Sequence, residues 1–174
     1  MIDKSNRPTE RFPAYKEDSA REQIKQRLLN VISHTKDEFF GIAGGACGGD
    51  IIFHELCIEL KIRSELYLAL PPAEFKEASV SFAGKAWDKR FNHLLDVLPH
   101  SQLKIQANEK ENGNVWEQAN LWMLTDALKN GGKNMTLIAL WDGKGGDGKG
   151  GAEHMVTIAK EKGASVDVIG VDEL

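Results

Sequence analysis

The sequence predicts a three-layer α/β fold: a five-stranded, mainly parallel sheet with strand order 3-2-1-4-5 and helices on both faces. Three observations carry that expectation. Short apolar runs alternate with amphipathic, helix-spaced segments along the chain, and such alternation calls for parallel neighbours joined by helical crossovers. Two runs, near residues 40 and 138, are continuously apolar as centrally buried strands are, while one near 105 alternates as an edge strand does. The chain has 174 residues, 41% hydrophobic and 28% charged, which suits one domain of roughly 100–200 residues. We therefore expect a single domain over residues 1–174, opened by an irregular segment over residues 1–18.

The elements follow in order. Ser19 to Thr35 carries Ile24, Leu28, Leu29 and Ile32 at helical spacing between charges, the pattern of a helix lying on an apolar surface. Phe39 to Ala43 is a short apolar run that stops at glycines, as a buried strand does. Asp50 to Lys61 reads as a helix and Glu65 to Leu70 as a strand ended by Pro71-Pro72. Ala73 to Ala83 and Ala86 to Leu98 form two helices split by Gly84. From Gln102 to Ala107, Leu103, Ile105 and Ala107 face one way and Gln102, Lys104 and Gln106 the other. Asn114, with Glu117 three residues on, has the form of a capping box for a helix reaching Lys129. Met135 to Trp141 is a central strand, Ala152 to Lys162 a helix stopped by Gly163, and Ser165 to Val171 the last strand.

Composition excludes several classes of function. The net charge is −4, from 22 basic and 26 acidic residues, with no dense cluster of lysine and arginine, so nucleic acid is not the expected partner. No apolar run approaches the roughly 18 residues of a membrane span, and residues 1–16 lack the apolar core of a signal peptide. Cys47 and Cys57 are too few for a disulfide scaffold, which points to a reduced, cytoplasmic protein.

Eleven of the 17 glycines fall in two stretches, Gly41, Gly44, Gly45, Gly48 and Gly49 and then Gly143, Gly145, Gly146, Gly148, Gly150 and Gly151. Each stretch follows a strand and opens a helix, the Rossmann-like arrangement. Glycine there allows positive φ and close approach of a ligand, and helix amides attract anions. The expected strand order brings both loops to the switch point where such sheets bind ligands. Residues Gly44 to Asp50 do not form G-x-G-x-x-G, and G-x-x-x-x-G-K-[ST] occurs nowhere, which disfavours a standard dehydrogenase or P-loop NTPase.

Gly44-Gly45-Ala46-Cys47-Gly48-Gly49-Asp50, followed later by Gly145-Gly146-Asp147-Gly148, resembles the SLOG superfamily, which includes the "lonely guy" phosphoribohydrolases and bacterial nucleotide-derivative sensors. The closer resemblance is to uncharacterised bacterial domains sharing Arg11-Phe12-Pro13, Gly48-Gly49-Asp50-Ile51, Asn114-Val115-Trp116-Glu117 and Leu140-Trp141-Asp142-Gly143-Lys144-Gly145-Gly146-Asp147-Gly148, over essentially the whole chain. The resemblance implies that the first loop holds a nucleotide's phosphate or ribose and that the second closes over phosphate and sugar. Phosphoribohydrolases similar to this chain carry P-G-G-x-G-T-x-x-E. The proline, threonine and glutamate positions here are Lys144, Lys149 and Ala152, with Glu153 displaced by one, a departure that favours binding without turnover.

The expected ligand-binding set is therefore Gly44, Gly45, Gly48, Gly49, Asp50, Asp142, Gly143, Lys144, Gly145, Gly146, Asp147, Gly148, Gly150 and Gly151. Asp50 either accepts ribose hydroxyls or caps the helix that follows it. Asp142 meets a base, a ribose or Mg²⁺, or forms a turn before glycine. Lys144 and Lys149 meet phosphate or remain solvated. His54 and Cys57 lack a second ligand pair, so the expected metal set is none. Glu153 and His154 face a ligand or simply open a helix. Trp116, Trp122 and Met123 are expected in the core. Phe75, Trp87 and Trp141 are candidates to stack on a base, and Arg7, Arg11 and Arg90 to bind phosphate or carboxylate. Three functions compete. The first is sensing of a nucleotide or NAD-derived molecule in a cleft between the loops, with a change of homo-oligomer or of an effector partner as output. The second is nucleotide N-glycosidic hydrolysis using Asp142 or Glu153. The third is a protein interaction module without a small ligand.

Overall fold

The computed structural model describes residues 1–3, 12–35, 37–106, 114–143, 151–170 and 173–174. They belong to two compact units, Met1–Asn108 and Glu109–Leu174. The first contains α1 (Glu17–His34), β1 (Gly41–Ala43), α2 (Gly49–Glu59), β2 (Ser64–Leu68), α3 (Pro72–Ser79), α4 (Lys85–Val97) and β3 (Leu103–Ile105). A 3-10 turn at Ala14–Lys16 leads into α1, so regular structure begins inside the segment expected to be irregular. Gly84, at φ +102°, separates α3 from α4 as its position predicts.

The three strands of this unit are parallel and ordered β1-β2-β3. Gly41 lies opposite Ser64 and Leu68 opposite Ile105. β2 is buried at all five positions and is hydrogen-bonded on both edges, so it is the central strand here. The sequence places the strand near residue 40 there instead. Ser64 and Glu65 disguise β2 as a half-exposed strand, yet both are buried because each has a partner: His54 Nδ1 at 2.9 Å from Ser64 Oγ, and Arg63 Nη2 at 2.7 Å from Glu65 Oε1. Phe39 and Phe40 precede β1, and Phe40 is 42% exposed under the Arg63 guanidinium, 5.4 Å from the ring centre. β3 is an edge as expected, but Ile105 is exposed where alternation assigns it to the buried face.

α2 packs its apolar face on this sheet through Ile51, Ile52, Leu56 and Cys57, all fully buried. α4 adds Trp87, Phe91 and Leu94, and the Phe91 ring stacks on Phe75 of α3 with centroids 5.9 Å apart. A charged seam joins the helices: Arg21 of α1 reaches Glu55 at 3.0 Å and Glu59 at 2.9 Å on α2, and Lys25 reaches Glu59 at 2.6 Å.

The second unit contains α5 (Val115–Ala127), β4 (Thr136–Leu140), α6 (Ala152–Glu161) and β5 (Ser165–Ile169). β4 and β5 pair in parallel, Thr136 opposite Ser165 and Leu140 opposite Ile169. Asn114 caps α5 as predicted, its side chain accepting the Trp116 N–H at 3.1 Å. Gly163, at φ +77°, follows α6 where the sequence ends it. Leu124, Met135 and Ala159 form this unit's core, packed by Leu128, Leu137, Ile158 and Val166. Trp116 is 36% exposed and so is not the core residue its helical spacing implies, while Trp122 and Met123 are partly buried.

Both halves of the expected strand order are present, as β1-β2-β3 and as β4-β5, but the ladders form a three-stranded and a two-stranded sheet, not one five-stranded sheet. β1 is three residues long and opens at a glycine, so it has few backbone groups to offer a second neighbour. Among the described residues no helix is long and apolar enough to cross a membrane.

The burial of Phe91 and the exposure of Ile105 make a direct comparison. Phe91→Ala is expected to lower the unfolding free energy by about 3–5 kcal/mol in urea titration, and Ile105→Ala by less than about 1 kcal/mol. Equal losses at the two positions contradict this assignment of the core.

Candidate functional site

The first glycine stretch is the turn between β1 and α2, at the carboxyl end of a parallel strand. Its glycines answer to close packing. A Cβ on Gly45 would stand 2.9 Å from the Phe91 ring and 3.1 Å from both Leu66 and Leu68. Gly48 has φ +110°, and a Cβ there would meet the Ile2 nitrogen at 3.0 Å and the Phe12 ring at 3.1 Å. Gly44, Gly45 and Gly48 are buried, which leaves Ala46, Gly49 and Asp50 as the more open part of the turn.

Asp50 does not cap α2. The helix starts at Gly49 with Gly48 as its N-cap, so Asp50 lies inside the first turn of the helix. Its Oδ2 reaches back to accept the Ala46 N–H at 3.2 Å and lies 2.6 Å from where a Cβ on Gly44 would be. A carboxylate thus faces into the turn. The Cys47 N–H donates to the Ser79 carbonyl at 3.0 Å and the Cys47 carbonyl accepts the Ile2 N–H at 2.9 Å, so the turn is tied to α3 on one side and to the N-terminal residues on the other.

His54 anchors the turn from beneath and is fully buried. Its Nε2 lies 3.1 Å from the Gly44 carbonyl and 3.4 Å from that of Ala43, so Nε2 carries the proton and donates to the end of β1. Nδ1 then accepts from the Ser64 hydroxyl at 2.9 Å. Burial holds its pKa below the ordinary histidine value, against the opposing pull of the two carbonyls and of Asp50. Both nitrogens are engaged inside the protein, which accounts for His54 as a structural tie. Burial pushes the Cys57 thiol up to about 12 and raises that of Cys47 as well, the latter against the N-terminal ammonium. Both cysteines are free and buried.

Three further candidates are spent on the fold. Arg90 holds Glu55 in a two-point grip, Nε to Oε1 at 2.7 Å and Nη2 to Oε2 at 2.8 Å, reaches Glu17 with Nη1, and lies 3.8 Å over the Trp87 ring. Burial works against its charge, but the bonds to Glu55 and Glu17 outweigh it and raise its pKa. Phe75 and Trp87 are buried at 4% and 5% exposure and belong to the core, so neither presents a face for a base.

The second glycine stretch follows β4. The Trp141 N–H continues the ladder to the Ile169 carbonyl at 3.0 Å, and Asp142 and Gly143, the latter at φ +72°, come next. Gly151 is the N-cap of α6, where Glu153 is exposed and His154 partly buried in the first turn. Lys144, Gly145, Gly146, Asp147, Gly148, Lys149 and Gly150 lie outside the described residues, as do Arg7 and Arg11. Among the described residues no group of three histidine, cysteine or acidic side chains converges to hold a metal ion.

No family model, curated protein or solved structure matches the chain. Two features escape the sequence reading. Gly143, Gly145 and Gly148 stand in G-x-G-x-x-G spacing between β4 and α6, a signal open to a motif scan of the second stretch. The other is the contact of Ile2 and Phe12 with the first turn, for which no periodicity gives a sign.

The neutral state of His54 gives a pH dependence. Unfolding restores an ordinary pKa near 6.5, so the unfolded chain takes up a proton that the native chain refuses. Stability is therefore full above about pH 6.5 and declines as the pH falls below it. Urea titrations at about pH 7.5 and pH 5.5 are expected to show that loss, with a flatter profile in His54→Asn; identical slopes in both proteins contradict it.

Proposed function

We propose that this chain binds a nucleotide or an NAD-derived anion through its glycine-rich strand-to-helix turns, in the manner of the SLOG-type sensors that its motifs resemble. One observation carries the reading: each glycine stretch joins the carboxyl end of a parallel strand to the amino end of a helix, β1 to α2 and β4 to α6. That is where open parallel sheets take ligands, with helix amides facing the anion. The β4–α6–β5 segment adds the G-x-G-x-x-G spacing and, beyond β5, the exposed acid Glu173, the residue type that receives ribose hydroxyls in dinucleotide sites.

Phosphate contacts are assigned to the second stretch, where Lys144 and Lys149 supply charge. The first turn already carries the Asp50 carboxylate, which takes the Ala46 N–H, and so offers an anion only the first amides of α2, from Gly49 on. Binding without turnover follows from Ala152 standing where phosphoribohydrolases carry their glutamate.

Calorimetric titration with ADP, ADP-ribose, NAD and cyclic nucleotides tests the reading. One of these is expected to bind at about micromolar affinity, with Lys144→Ala/Lys149→Ala weakening it about tenfold or more. A flat response to the whole panel, or an affinity unchanged by the double substitution, contradicts it. Gly48→Val is unsuited as a control, because its positive φ and the contact with Ile2 make it a folding defect.

A further inference from the structure

We infer that Asp3 is the positioning residue of the first glycine turn, acting through a clip that the chain closes between its first residues and Phe12. The clip is reciprocal. The Asp3 N–H donates to the Phe12 carbonyl at 2.9 Å, and Asp3 Oδ2 accepts the Phe12 N–H at 2.7 Å. Ile2 at 6% and Phe12 at 3% exposure are both buried, and the Ile2 backbone nitrogen and the Phe12 ring lie against Gly48, 3.0 and 3.1 Å from where a Cβ there would stand. The Ile2 N–H then donates to the carbonyl of Cys47, the residue before Gly48.

These contacts converge on a backbone position that only glycine adopts at ease. Gly48 at φ +110° is the point where the chain leaves the turn and enters α2, and it sets the direction of the first helical amides. A peptide at this point has no side chain of its own to hold it, so its orientation is fixed from outside. Asp50 secures the near side of the turn through Ala46, and His54 secures the end of β1 through Gly44. On the Gly48 side that task falls to the clip. A carboxylate accepting one backbone N–H forms a strong, charge-assisted bond, and an asparagine oxygen can accept the same bond without the charge. The same clip feeds α1, since the Lys16 N–H donates to the Pro13 carbonyl at the start of the 3-10 turn.

The consequence for ligands rests on the reading of the glycine turns as the binding site: the clip keeps the amides around Gly49 aimed at the anion. Two readouts on the full chain separate the inference from that reading. Amide exchange followed by NMR needs no ligand. Asp3→Ala is expected to speed exchange at Ile2, Phe12 and the Gly48–Ile51 segment about tenfold or more, while Leu94 and the rest of α4 keep their protection and Asp3→Asn restores the wild-type rates. Titration with ADP-ribose is expected to show a rise in Kd of about fivefold or more for Asp3→Ala and less than about twofold for Asp3→Asn. Unchanged exchange in the turn overturns the inference, as does accelerated exchange with unaltered Kd. If the turn accelerates in Asp3→Ala and is restored in Asp3→Asn while no protein binds the nucleotide panel, the clip stands and the nucleotide reading falls.

Discussion

The constraint on which the rest of the first unit depends is steric: the chain passes from β1 to α2 through a turn with no room for a side chain at Gly45 or Gly48. Gly45 is pressed by Phe91, Leu66 and Leu68, and Gly48 by Ile2 and Phe12 at a positive φ. Because α2 enters at that point, its apolar face meets β2, and the central strand can bury all five of its residues. The polar members of that strand are tolerated only through their partners. Ser64 is satisfied by His54, which in turn donates to the carbonyl of Gly44, so one buried imidazole connects the central strand, the helix and the turn. An unpaired hydroxyl or imidazole in such surroundings costs roughly 1–3 kcal/mol.

This arrangement redistributes the chemistry that the side chains advertise. Arg90 has the fork geometry of a phosphate ligand but spends it on Glu55 and Glu17, joining α4 to α2 and α1. Trp87 lies beneath that guanidinium and Phe75 against Phe91, so the aromatic groups near the turn are packing elements. Among the described residues, what remains for an anion is backbone: the amides at the amino ends of α2 and α6, reached through glycine. Sites of that kind select for charge and shape more than for a particular base, which suits a sensor of a phosphorylated small molecule.

Much of the architecture is legible in the sequence because it follows from local rules. Helix spacing locates the helices, Gly84 and Gly163 separate or end them, and Asn114 caps α5. Position within a sheet is less legible, since it depends on burial that polar residues conceal. Glu65 and Ser64 hide the centrality of β2, and a three-residue β1 that begins at glycine looks, in an apolar run with Phe39 and Phe40, like a longer strand. The glycine clusters are visible at once, but the packing reason for the first cluster is not. Phe91 and Leu66 are far from Gly45 in sequence, and the clip from Asp3 to Phe12 spans nine positions with no repeating pattern.

The central proposal is that a glycine-rich turn at the carboxyl end of a parallel strand receives an anion. Amide NMR spectra of the labelled chain, recorded as ADP-ribose is added, test the location directly. The account predicts that the largest shifts fall at a glycine turn, on Gly49 and Asp50 at the start of α2 or on Gly143 and Gly151 about the β4–α6 connection. Shifts confined to other surfaces, such as the exposed β3 edge around Ile105 or the face of α5 around Trp116, contradict it.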